Sequence, residues 1–148
     1  MTATTTLAAT ATRPTAAPAP SRRSTTKQIR RTGVLAGLAA SVATATTAAV
    51  ASAFDVSLQV GGEAIPVIGF AQLTFVAAII GTVMAVVMSH RARRSRHTFV
   101  VSTIALTALS IVPDVTADAH TATKLVLALT HVVAASIVIP ALASRLTD

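Results

Sequence analysis

The chain has 148 residues, of which 53% are hydrophobic and only 11% are charged. A soluble domain carries about a quarter charged residues, so this composition belongs to a membrane protein rather than a soluble enzyme. The net charge of +7 comes from Lys and Arg that punctuate apolar runs with no aromatic platform between them, which argues against nucleic acid as a partner, and the lack of Cys excludes disulfides, thiolate metal sites and iron–sulfur clusters.

Residues 1–32 are mostly Thr, Ala, Pro, Ser and Arg. Such a segment buries too little surface to offset its chain entropy, so a disordered basic cytoplasmic tail is expected. Four apolar runs follow, at about 33–54, 64–89, 98–113 and 124–143. The first two, of 22 and 26 residues, exceed the ~20 needed to cross ~30 Å of hydrocarbon. The third has 16 residues and ends at Pro113, short of that length. None carries the polar stripe of a surface helix. The expected fold is all-α, a four-helix transmembrane bundle behind a disordered tail.

Charge orients the bundle. Eleven of the twelve Lys and Arg fall before the first run, between the second and third (Arg91, Arg93, Arg94, Arg96) or after the fourth (Arg145). Lys124 alone falls on the other side. The positive-inside rule then places both termini in the cytoplasm, and the cell (plasma) membrane is the expected location. An even number of spans requires the short third run to cross. The sequence Ala51-Ser52-Ala53 resembles a signal-peptide cleavage site. However, Arg30 and Arg31 precede an apolar run longer than a signal core of ~7–15 residues. The first span is therefore read as retained, with cleavage after Ala53 as the alternative.

Small residues recur every four positions at Gly33, Gly37, Ser41, Ala45 and Ala49, and again at Ala77, Gly81 and Ala85. Such spacing lets membrane helices approach closely, and a tight intramolecular bundle is the expectation. His131 is the one ionisable side chain well inside a run, with Leu127, Ala128, Ala134 and Ala135 around it on its own helix. Intramembrane ionisable groups are costly and default to a functional role; the alternative is a neutral imidazole bonded to a neighbouring helix. Its candidate partners are Gln72 and the stripe Thr103, Thr107, Ser110 and Asp114, spaced to share one helix face. Those hydroxyls can equally bond back to their own helix. Asp114, Asp118 and His120 are too loosely spaced for a metal site of about four ligands. No catalytic motif, metal site or cofactor is expected.

The segments Ala64-Ile65-Pro66-Val67-Ile68-Gly69-Phe70-Ala71-Gln72-Leu73-Thr74, Leu129-Thr130-His131-Val132-Val133-Ala134-Ala135 and Ile139-Pro140 resemble an uncharacterised family of small four-helix actinobacterial membrane proteins, a domain of unknown function. The resemblance covers roughly residues 33–146. It implies a fold and a membrane location, with His131 and Pro140 in the last-helix pattern and Asp114 at an acidic position after the third span. It implies no activity. Two functions stay open at this point: a non-enzymatic accessory or envelope component that packs against lipid, another membrane protein or itself, and a small transporter or sensor using His131. A proton-coupled carrier usually holds a carboxylate inside a span. The sequence places none there, which favours the accessory component.

Overall fold

The computed structural model describes residues 22–148. The tail expected to be disordered lies outside the described residues as far as position 21. The chain forms α1 (Arg22–Ala53), a two-stranded hairpin of β1 (Gln59–Val60) and β2 (Glu63–Ala64), α2 (Val67–Arg91), α3 (Ser95–Thr116) and α4 (Thr121–Ala143). All four helices are long and apolar enough to cross a membrane.

Helix α1 begins eleven residues before the apolar run at Gly33, so residues 22–32 are helical and not part of a disordered tail. Ile29 explains the difference. It is fully buried against Ala85, Phe99, Leu142, Ala143 and Leu146 at the end of the bundle that carries the Arg residues. Burying such a side chain yields about 1.5–3 kcal/mol, which holds an otherwise polar segment in register. Arg145 Nε adds a 3.1 Å bond to Thr32 Oγ1.

Helix α3 also exceeds its apolar run. It has 22 residues and continues through Pro113 to Thr116, a length of roughly 33 Å at 1.5 Å per residue. Pro113 removes one helix hydrogen bond, which membrane helices tolerate when neighbouring groups satisfy the freed carbonyl. The last turn is re-tied by Thr116 Oγ1, which donates to the carbonyls of Val112 (3.0 Å) and Pro113 (3.2 Å).

Helix α1 packs between α2 and α4, and α3 packs on α4 and α2. On α1 the buried face starts at Gly33, Gly37 and Ser41 as expected. It then continues through Thr44, Ala48 and Ala51, leaving Ala45 half-buried and Ala49 exposed. Four residues turn about 40° more than one helical turn, so a strict four-residue stripe walks off the interface. On α2 the seam is Ala78, Thr82 and Ala85; Ala77 is exposed and Gly81 half-buried. The expected pairing through Ala77 and Gly81 is therefore displaced by one residue, about 100° around the helix.

At the opposite end a second core joins Ala48, Ala51, Leu58 and Phe70. The hairpin turns through Gly61 and Gly62, both at positive φ (59° and 85°), the backbone a two-residue hairpin turn requires. Gly61 N donates to Asp118 O at 2.9 Å, which docks the hairpin on the α3–α4 connection. Outward faces carry Leu35, Val42, Leu73, Leu109 and Leu125, all at least half exposed. A water-soluble protein would bury such faces, whereas a bilayer solvates them.

Candidate functional site

Helix α4 starts nearer the hairpin end than α3 stops, because buried Thr123 in its first turn donates to the carbonyl of Ser57 beneath the hairpin. The residues between them climb in extended conformation at Ala117 and His120. A residue in the last turn of α3 thus lies level with the third turn of α4. That offset brings Asp114 to His131: Oδ2 of the carboxylate lies 2.9 Å from Nδ1 of the imidazole. Asp114 is 8% exposed, while the side chain of His131 retains 37%.

His131 Nδ1 also lies 3.0 Å from Leu127 O. A carbonyl and a carboxylate are both acceptors, so Nδ1 carries the proton; this tautomer is assigned from the contacts. The N–H is aligned on Leu127, and Asp114 Oδ2 is buried without an aligned hydrogen bond. The contact between the two side chains is therefore mainly electrostatic.

His131 stands where two cavities meet between α2, α3 and α4. The first, of about 210 Å³, is bounded by Asp114, Thr130, Phe70 and Leu73. The second, of about 300 Å³, is bounded by Thr103, Thr107, Ser110, Phe99 and Gly81. Thr74, Ala77, His131 and Ala134 border both. Ala77 and Gly81 thus shape a cavity wall, a use for small residues that spacing alone does not distinguish from helix packing.

The polar stripe of α3 is divided between the cavities. Thr103 donates to Phe99 O (2.7 Å), Thr107 to Thr103 O (2.9 Å) and Ser110 to Thr107 O (2.7 Å), all within their own helix. Gln72 is exposed and borders neither cavity. Thr74, two residues on and roughly 200° around the helix, faces inward and shares a 3.0 Å hydroxyl contact with Thr44. Among the described residues no three His, Asp or Glu come together as metal ligands. Thr74, Thr130 and Leu127 O were not legible as site groups. The one available signal was that Thr130 adjoins His131 and Leu127 lies one turn before it.

Four membrane-length helices around an embedded carboxylate–imidazole pair define the class: a multi-pass membrane protein with a polar site inside its apolar bundle. The chain belongs to the family of unknown function DUF6069, whose sequence pattern matches residues 24–148. That match takes in the helical extension before Gly33. No curated protein and no solved structure matches the chain.

Proposed function

We propose that the chain is a non-enzymatic protein of an actinobacterial plasma membrane, with both termini cytoplasmic, that acts as a small carrier through Asp114 and His131. One observation carries this reading. The carboxylate that a proton-handling carrier needs within a span is present, because α3 runs past Pro113 and holds Asp114 2.9 Å from His131 at a cavity wall. A carboxylate and an imidazole in contact exchange protons readily, and intramembrane pairs of this kind mark ion and proton pathways.

Several features support the rest of the reading. The cavity-lining hydroxyls of Thr74, Thr103, Thr107, Ser110 and Thr130 are engaged with helix carbonyls or with Thr44, and none is set against His131 as a nucleophile. Orientation follows the basic residues gathered at one end. The actinobacterial source follows from the resemblance of residues 64–74 and 129–135.

Small-residue stripes are the ground for the alternative, an accessory component. Gly33, Gly37, Ser41 and Ala85 are buried within the bundle, and Ala77 and Gly81 border the cavities. The exposed Leu125, Leu129 and Val132 of α4 still offer an apolar face to a partner helix. The deciding experiment is proton flux into proteoliposomes under an imposed pH gradient. The parent protein should carry flux, and His131→Gln and Asp114→Asn should both abolish it. No flux from the parent, with a stoichiometric protein recovered in a mild-detergent pull-down, would establish the accessory role instead.

A further inference from the structure

Among the described residues, Asp114 and His131 are the sole ionisable side chains bordering either cavity. With a neutral imidazole the pair carries one negative charge; with an imidazolium it carries none. An anion therefore meets no net positive wall. The carboxylate oxygen Oδ2 is buried and lacks an aligned donor, and the nearest ring N–H is turned to Leu127 O. A buried acceptor in that state is stabilised by a donor or cation brought in from outside. One carboxylate is too few oxygens for a bare divalent ion, which takes six or more in the case of calcium. The remaining walls, including Phe70, Leu73, Ala77 and Ala134, suit an apolar body.

We propose that this cavity binds a small lipophilic cation, an ammonium group on an apolar body, with the Asp114 carboxylate as its counter-ion. The proposal rests on reading the Asp114–His131 site as the working part of the protein, and it names the ligand class. Leu73 borders the cavity and is 71% exposed, so the proposed route of entry is lateral, past Leu73 from the bilayer into which a lipophilic cation partitions.

The probe is benzyltrimethylammonium, titrated calorimetrically against the full chain in lipid nanodiscs. Its neutral carbon isostere neopentylbenzene and the anion benzenesulfonate serve as competitors. We expect saturable binding of the cation that neither competitor displaces. Asp114→Asn should weaken it by about tenfold or more, and Ala77→Leu, which fills the wall shared by the two cavities, should abolish it with the melting temperature retained. Absence of saturable binding, equal competition by the isostere, or unchanged affinity in Asp114→Asn would each overturn the cation. If Asp114→Asn fails to fold, the isostere competition on the parent protein decides. Proton flux separates the two levels: flux that persists without cation binding leaves the carrier reading standing and removes only its ligand class, whereas loss of both removes the site.

Discussion

Gly33 of α1 faces Thr82 of α2 so closely that a Cβ at position 33 would overlap the threonine hydroxyl and lie 2.6 Å from its Cγ2. Thr82 has little freedom to withdraw, because it is 5% exposed and its hydroxyl donates to Ala78 O at 2.7 Å. Gly33→Ala should therefore destabilise the protein by about 1–3 kcal/mol through overpacking. Thr82→Ala added to it should restore most of the loss. Thermal unfolding in detergent of the two variants and the parent measures this, and a Gly33→Ala protein as stable as the parent would refute the seam.

Asp114 and His131 should be energetically coupled. A double-mutant cycle built from Asp114→Asn and His131→Gln isolates their interaction from each variant's other effects. Interhelical polar contacts in a bilayer average ~0.6 kcal/mol and reach about 1.7. An ionisable pair 2.9 Å apart should exceed that average, so a coupling of about 1 kcal/mol is expected from reversible unfolding in mixed micelles. Additive single-variant losses would mean that the 2.9 Å approach contributes nothing to stability.

These two relationships also show where a sequence reading stops. His131 stood out because an imidazole interrupts an otherwise apolar run, and burial of charge is a local property. The third apolar run stops at Pro113 because the charged Asp114 follows it, which puts Asp114 after the span in the sequence. In the bundle the helix continues one turn further, and the α3–α4 offset that brings Asp114 to His131 depends on Thr123 and Ser57, 66 positions apart. On α2, Gly81 stands out in the sequence for its size, whereas Thr82, whose hydroxyl is bonded to Ala78 O within its own helix, packs the seam as though it were small. Spacing identified the helices; register between them was set by contacts remote in the chain.

The first turn of α3 should depend on residues near position 148. Ser95 Oγ donates to Thr147 O at 2.6 Å, and Asp148 Oδ1 accepts from His97 N at 3.0 Å. A carboxylate at a helix N-terminus satisfies an otherwise unpaired N–H and complements the helix dipole. Ser95 is buried, so Ser95→Ala should cost about 1 kcal/mol in stability. Asp148→Ala should accelerate amide exchange at His97. Exchange at His97 unchanged in that variant would show that the contact does not order the turn.

The orientation of the bundle is tested by where its two ends report. Arg145 bonds Thr32 and Ser95 bonds Thr147, so the basic flanks of α1, α3 and α4 lie together at one end. Lys124 lies at the other, with Nζ on Val115 O at 3.2 Å. The eleven-to-one division of basic residues in the sequence is the ground for proposing that this first end is cytoplasmic. A reporter active only inside should work when fused after Asp148, and one active only outside should work when inserted between Ala117 and His120. Retention of α1 is expected, because cleavage after Ala53 would strip the cover from Ala78 and Thr82. The intact mass of the purified protein should accordingly include residues before Gly33. An outside-active reporter after Asp148 would overturn the orientation, and a mature chain beginning at Phe54 would overturn the four-span bundle.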